Sequence, residues 1–198
     1  MSECPTCNGV GIRVEPVRGA AFATVCECKN PCPTCGGAGY FFETDQYGYR
    51  NAVSCQCTRL SKRAQFFNDA QIPSRYAFAE FGKIKTDPGA PDMMNARRMA
   101  WRFAREYEPG VPGILLYGTV GTGKTYLTTA VLRYLVLSRG VRARFIEFMH
   151  LLSDLRATFG DRGRAEVVMQ PLVDVPLLVI DELGKGRGSD WELSVLDE

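Results

Sequence analysis

Beyond Cys57 the chain has no cysteine, it carries one histidine, and none of its apolar runs approaches the roughly 18 residues that a membrane helix needs. Met1 to Val10 lacks the basic start and apolar core of a secretion signal, so a cytoplasmic location is expected. No long disordered tract is indicated, and 198 residues at 45% hydrophobic content suit one medium globular domain plus a small one. Excess charge is scarce as well. A formal net charge of +2 is too small to argue for nucleic acid by itself. The lone histidine, His150, reads as a helix-surface residue without a catalytic role.

Charge is unevenly spread. Residues 1–60 carry 5 basic and 5 acidic groups, 61–110 carry 9 and 6, and 111–198 carry 10 and 11. In the basic middle segment, Asn95 to Glu108 has helical periodicity, with Met99, Phe103 and Tyr107 as an apolar stripe and Arg98, Arg102 and Arg105 on another face. A solvated outer face, which needs no ligand, explains these arginines in preference to a dedicated phosphate-binding stripe.

The most specific motif is Gly118-Thr119-Val120-Gly121-Thr122-Gly123-Lys124-Thr125, which matches G-x-x-x-x-G-K-[ST]. Ile114 to Tyr117 before it reads as a buried strand and Lys124 to Arg139 after it as a helix, which is the context the motif requires. Glycines let backbone amides close on an anion, and the helix N-terminus adds partial positive charge. Lys124 is expected on the β- and γ-phosphates and Thr125 on magnesium. A chance Gly-rich turn is the rival reading.

A second short apolar run, Leu177 to Ile180, ends in Asp181-Glu182 and lies between Pro176 and Gly184, as a strand covered on both faces would. Ligands gather at the carboxyl ends of parallel strands, so both carboxylates are expected beside the phosphate loop. Asp181 would hold magnesium directly or through water, and Glu182 would orient and deprotonate the attacking water.

All eight cysteines fall into two copies of one arrangement. Cys4-x-x-Cys7 is answered by Cys26-x-Cys28, and Cys32-x-x-Cys35 by Cys55-x-Cys57, with 18 and 19 residues between the halves. A C-x-x-C turn aims two sulfurs at one point and a hairpin returns two more, giving tetrahedral Cys₄ zinc, one ion per copy. Phe22 to Val25 and Tyr40 to Glu43 would be strands of such ribbons. Pairing crossed between copies, disulfides, redox use and an iron–sulfur cluster remain alternatives. With zinc bound, the segment becomes acidic, which favours a protein-docking surface, with Arg13 or Arg50 as the fallback for nucleic acid.

With these motifs in place the chain resembles the DnaC/DnaI helicase loaders and the related IstB transposition helpers, a branch of the AAA+ ATPases. Ile72-Pro73-Ser74-Arg75-Tyr76, Leu115-Leu116-Tyr117-Gly118 and Leu183-Gly184 extend the likeness beyond the generic motifs. The resemblance implies a P-loop NTPase (AAA+) α/β fold with a parallel-sheet core, incomplete at the C-terminus and preceded by a zinc-ribbon-like β module. The expected organisation is a double Cys₄ module over 1–60, a linker with an amphipathic helix over 61–110, and the N-terminal part of the ATPase over 111–198.

The resemblance further implies ATP, Mg²⁺ and two Zn²⁺ as cofactors, and Lys124 and Glu182 as catalytic groups. It makes a replicative helicase the partner, or a transposase in the transposition-helper alternative, with homo-oligomers, an arginine from an adjacent subunit, and contact with single-stranded DNA. Ile72 and Tyr76 become candidates to cover the adenine, or else they dock the linker. Arg144 to Phe148 is a further strand, followed by helices over Met149 to Phe159 and Arg164 to Val173. Arg156, Arg162 and Arg164 are the positions to test against DNA.

Family cores have further strands after the Asp181-Glu182 strand, one of which separates it from the phosphate-loop strand. A gap at the sheet centre and a truncated chain with impaired hydrolysis are therefore expected. Ser189-x-x-Glu192 reads as a capping box opening a last helix. A zinc-based adaptor with an inactive nucleotide fold is a third reading, since Cys4 to Gly11 and Cys32 to Gly39 resemble the C-x-x-C-x-G-x-G units of DnaJ-type zinc domains.

Overall fold

A computed structural model of the chain describes residues 4–84, 91–158, 162–186 and 188–197. Each cysteine repeat folds as an antiparallel hairpin: β1 (Ile12–Val17) pairs β2 (Ala20–Val25), and β3 (Tyr40–Thr44) pairs β4 (Arg50–Ser54). Helix α1 (Cys57–Asp69) follows at once and runs across the 60/61 boundary drawn from sequence.

The two hairpins have different fates. Ile12, Ala21 and Ala23 of the first sit in one buried cluster with Ala64 and Phe67 of α1 and with residues of the following α/β unit. The linker ties itself to the same hairpin, because Ala21 donates its N–H to the Ile72 carbonyl at 2.7 Å and Ser74 donates to Gly19 at 2.9 Å. Asn68 adds a side-chain clamp, accepting from the Ala23 N–H at 2.6 Å and donating to its carbonyl at 3.1 Å. None of the described buried core residues comes from β3 or β4.

Helix α2 spans Pro91–Glu106, starting earlier than the periodicity suggests. Its buried face is also displaced: Ala100 and Ala104 are buried whereas Met99 is 58% exposed, a correction to the expected stripe. Small side chains let α2 approach Leu127 and Val131 closely, and closeness rather than bulk decides the face. Phe103 and Tyr107 do pack there, and Tyr107 donates to the Pro176 carbonyl. Arg98 bonds the Asn95 side chain and Arg102 lies 3.9 Å from Glu106 on a solvated face, while the Arg105 carbonyl accepts from Arg139.

Helix α3 (Lys124–Tyr134) continues through a π turn at Leu135–Arg139 and stops at Gly140, whose φ of +70° is the left-handed cap conformation. It is buried on almost every side, as expected of a central helix. Beyond it, β5 (Ala143–Glu147) pairs in parallel with β6 (Leu177–Asp181), so that Glu147 lies opposite Asp181. Helices α4 (Phe148–Ala157) and α5 (Arg162–Val173) connect them, and α6 (Asp190–Asp197) closes the described chain. The position expected for Phe159 lies outside the described residues. The capping box forms as read: Glu192 donates its N–H to the Ser189 hydroxyl and returns a carboxylate to the Ser189 N–H, both at 3.3 Å.

One expected element is missing. Ile114 to Tyr117 joins no ladder; Ile114 and Leu116 rest on the α2–α3 cluster while Leu115 and Tyr117 are 74% and 89% exposed. The alternation is that of a strand, but hydrogen-bonding edges need a neighbour, and the described residues supply none.

Candidate nucleotide site and metal sites

The phosphate loop takes its shape from backbone that other residues avoid. Gly118, Gly121 and Gly123 have φ of +141°, +83° and +83°, and Gly123 leads directly into α3. Val120 at the loop tip is 98% exposed. Lys124 folds back over the loop, donating from Nζ to the Gly118 carbonyl at 2.9 Å and the Thr119 carbonyl at 2.8 Å. Thr122 closes the turn with a bond from its hydroxyl to the Thr119 carbonyl at 3.0 Å. A cation with carbonyl acceptors only is poised to exchange them for phosphate oxygens, which pair with it more strongly.

The strand end meets the loop as parallel-sheet topology requires. Thr125 Oγ1 donates to Asp181 at 2.8 Å to one carboxylate oxygen and 3.1 Å to the other, across 56 residues of sequence. Two neighbouring oxygens on an octahedral Mg²⁺ lie about 2.9 Å apart, so this hydroxyl–carboxylate pair fits one edge of such an ion. When bound, the ion would supply charge neutralisation between phosphate oxygens. Thr125 and Asp181 would hold it; Lys124 and the loop amides would orient the anion.

Glu182 follows at a φ of +63°, a left-handed conformation unusual outside glycine, and its carboxylate accepts from Lys185 Nζ at 2.6 Å. The Glu182 bond is the main reason the Lys185 ammonium is held above its ordinary pKa, with Glu147 and Asp181 adding to it. Sequence reasoning missed Lys185, three residues beyond the motif. It also missed Glu147, which accepts from Arg75 at 3.4 Å and lies 3.4 Å from His150. The signal for Glu147 was available, since it ends a strand expected to lie parallel to the Asp181 strand. His150 is on the helix surface as read, 75% exposed.

Of the two adenine candidates, Ile72 is fully buried in one cluster with Ala77, Phe67, Leu132 and Val136, where its side chain docks the linker. Tyr76 packs partly against the same cluster and carries the Arg75 guanidinium 4.9 Å from its ring centre. Closer to the phosphate loop runs the next stretch of linker: Tyr126, one residue past Thr125, accepts at its hydroxyl from the Glu80 N–H at 3.3 Å. The exposed Phe78 lies on that stretch.

The positions singled out for DNA are placed as follows. Arg156 is 3.3 Å from Glu192 and stacks 5.1 Å from the Trp191 ring centre, which ties α4 to α6. Arg164 is exposed on α5, and the side chain of Arg162 lies outside those described. Arg13 pairs with Glu15, and Arg50 covers Phe42 at 4.9 Å.

Each cysteine repeat closes on itself. Cys4, Cys7, Cys26 and Cys28 form one group and Cys32, Cys35, Cys55 and Cys57 the other, with all sulfurs in a group within 4.8 Å of one another. The shortest separations are 3.5 Å for Cys7–Cys28 and 3.9 Å for Cys4–Cys26, then 3.4 Å for Cys35–Cys57 and 3.7 Å for Cys32–Cys55. Four sulfurs at about 2.3 Å from one tetrahedral zinc stand about 3.8 Å apart, whereas a disulfide needs about 2.05 Å, so the spacing fits a single ion.

The turns are alike in both copies. Gly11 donates its N–H to Cys7 Sγ and Gly39 to Cys35 Sγ, each at 3.3 Å, and both glycines have φ near +80°. Amides of Thr6 and Cys7 hold the Cys4 thiol down to about 6, and those of Cys35 and Thr34 do the same for Cys32. Bonds to Cys7 and Cys35 push Cys28 and Cys57 up to about 12. Such a set is arranged to be stabilised by a cation.

Comparison with known proteins places the family. The family model described as IstB-like ATP binding protein matches residues 59–190, so it begins just past the last cysteine. The replicative helicase loader DnaC of Escherichia coli (strain K12) is 27% identical over 158 residues, 79% of this chain and 63% of the loader. An uncharacterized protein, YqaM, of Bacillus subtilis (strain 168) is 29% identical over 150 residues, 70% of this chain and 46% of the relative. The chain thus spans about half to just under two thirds of these relatives' lengths. The family match covers the phosphate loop, Thr125 and Asp181, and the chain belongs to the IstB-like ATP-binding family, in the DnaC/IstB branch of the AAA+ P-loop proteins.

Proposed function

We propose that the chain is the nucleotide-switching part of a replicative-helicase loader, which holds Mg-ATP on the Gly118–Thr125 loop and zinc in both cysteine groups. ATP occupancy would control assembly of a helicase on single-stranded DNA, with Glu182 orienting the attacking water and an arginine from a neighbouring subunit completing the site. The observation that carries this reading is the Thr125–Asp181 contact at 2.8 Å, which supports a triphosphate–magnesium site in a chain akin to DnaC.

Calorimetric titration of Mg-ATP into the zinc-loaded protein, followed by co-purification with the replicative helicase of the same cell, tests both halves. Absence of heat removes the nucleotide reading, and absence of co-purification removes the loader. A second reading, a transposition helper that acts with a transposase on duplex DNA, is compatible with the match to an IstB-like ATP binding protein. Tight duplex binding with a steep salt slope would select it.

A further inference from the structure

The two hairpins are copies of one unit, so their faces can be compared position by position. Counting from the glycine that follows each C-x-x-C, Ile12 and Val14 correspond to Tyr40 and Phe42. Counting back from Cys26 and Cys55, Ala21 and Ala23 correspond to Arg50 and Ala52. Cross-strand pairs agree, with Val14 opposite Ala23 and Phe42 opposite Ala52. In the first copy this face is covered by a helix: Leu60, Ala64 and Phe67 of α1 lie against Ile12, Ala21 and Ala23.

In the second copy the same face is bare and aromatic. Tyr40 is 50% and Phe42 53% exposed; their rings meet edge to face at 5.7 Å, and Arg50 stacks on Phe42. Tyr47 and Tyr49, at the hairpin end, are 76% and 70% exposed. A contiguous aromatic and arginine patch on a rigid two-stranded platform has the composition of an interface core.

Charge decides between a nucleic acid and a protein. Between Asn30 and Cys57 the charged side chains are Glu43, Asp45 and Arg50. Four thiolates around one divalent ion leave two further negative charges. The ribbon is therefore acidic and repels phosphate backbones, while its single arginine already sits on Phe42.

We propose that the Tyr40–Phe42–Arg50 face docks an amphipathic helix of the protein partner, an apolar ridge flanked by lysine or arginine, as α1 docks on the first copy. This inference rests on the loader reading, which makes that partner the replicative helicase.

The test uses the zinc-loaded full chain and the helicase of the same cell in a surface-binding assay. Combined Tyr40→Ala and Phe42→Ala should weaken binding at least tenfold, with zinc content and Mg-ATP affinity unchanged, while Phe22→Ala on the outer face of the first hairpin should bind normally. Equal binding by wild type and the double variant overturns the proposal and leaves the loader reading standing. No binding by the wild type overturns both. A photo-crosslinking residue placed at position 42 gives a readout independent of truncation: a cross-link to the helicase supports the face, and one only from position 22 overturns it. If the double variant instead loses affinity for a single-stranded oligonucleotide, the occupant is nucleic acid and the proposal is wrong.

Discussion

Dismantling the two cysteine groups should have unequal consequences. Cys4→Ser with Cys7→Ser removes the knuckle that anchors β1 and β2, whose Ile12, Ala21 and Ala23 share a buried cluster with Leu132, Val136 and Phe145. Freeing that hairpin returns to water an isoleucine side chain and two alanine methyls, worth about 5 kcal/mol at about 0.8 kcal/mol per buried carbon group. Against a total stability of about 5–15 kcal/mol this is a large fraction, and for a chain of this size it should lower the melting temperature by about 10 °C. Mg-ATP affinity should fall as well, since α3, which carries the phosphate loop, is rooted in the same cluster.

Cys32→Ser with Cys35→Ser should unfold only β3 and β4, which contribute no described buried core residue, and leave the main transition within about 2 °C. Zinc stoichiometry by chelator displacement should read one per chain in both variants, and near-ultraviolet melting should separate them. Equal shifts in the two variants would refute the claim that only the first hairpin is built into the nucleotide-binding core.

Three smaller outcomes follow from other contacts. Lys124→Ala should reduce fluorescent-nucleotide affinity at least about tenfold with little change in melting temperature, because its ammonium bonds only exposed loop carbonyls. Glu80→Ala should cost about 1–3 kcal/mol in denaturant unfolding, since Arg133 is 7% exposed, with two unpaired nitrogens and Glu80 as its ion-pair partner; Arg133→Met in the same background should recover most of it. Ser189→Ala should cost about 1 kcal/mol and speed hydrogen exchange at the Glu192 amide, which loses its acceptor.

What was legible in the sequence was what fixed spacing determines. The Asp181 strand end and the capping box each rest on residues a few positions apart; Asp181 ends its strand beside Thr125 and the capping box forms as read. The cysteine spacing predicted two tetrads but left their pairing open, because it says nothing about which hairpin returns to which turn; the folded hairpins resolve it within each copy. Periodicity went astray on α2, where bulk suggested Met99 and close approach selected Ala100 and Ala104. It went astray again at Ile114 to Tyr117, where an apolar run has strand alternation but a strand exists only through its neighbours.

The segment Ile72 to Tyr76 gives the clearest lesson about motif and role. Its side chains were candidates for the base, yet its backbone is what the fold uses. The Ile72 carbonyl and Ser74 N–H bond to Ala21 and Gly19 at the bend of the first hairpin, and Ile72 fills the core beneath it. Arg75, next in line, reaches Glu147, whose strand position lies directly opposite Asp181. Five consecutive residues therefore join the hairpin stabilised by the first cysteine group to the strand ends where Thr125 and Asp181 meet. A shift of that hairpin has a short covalent and ion-paired route to the nucleotide site, whereas the second hairpin, with its aromatic face turned to solvent, contributes no buried core residue among those described. The two copies thus differ in burial, the first packed into the cluster that roots α3 and the second exposed along its aromatic face.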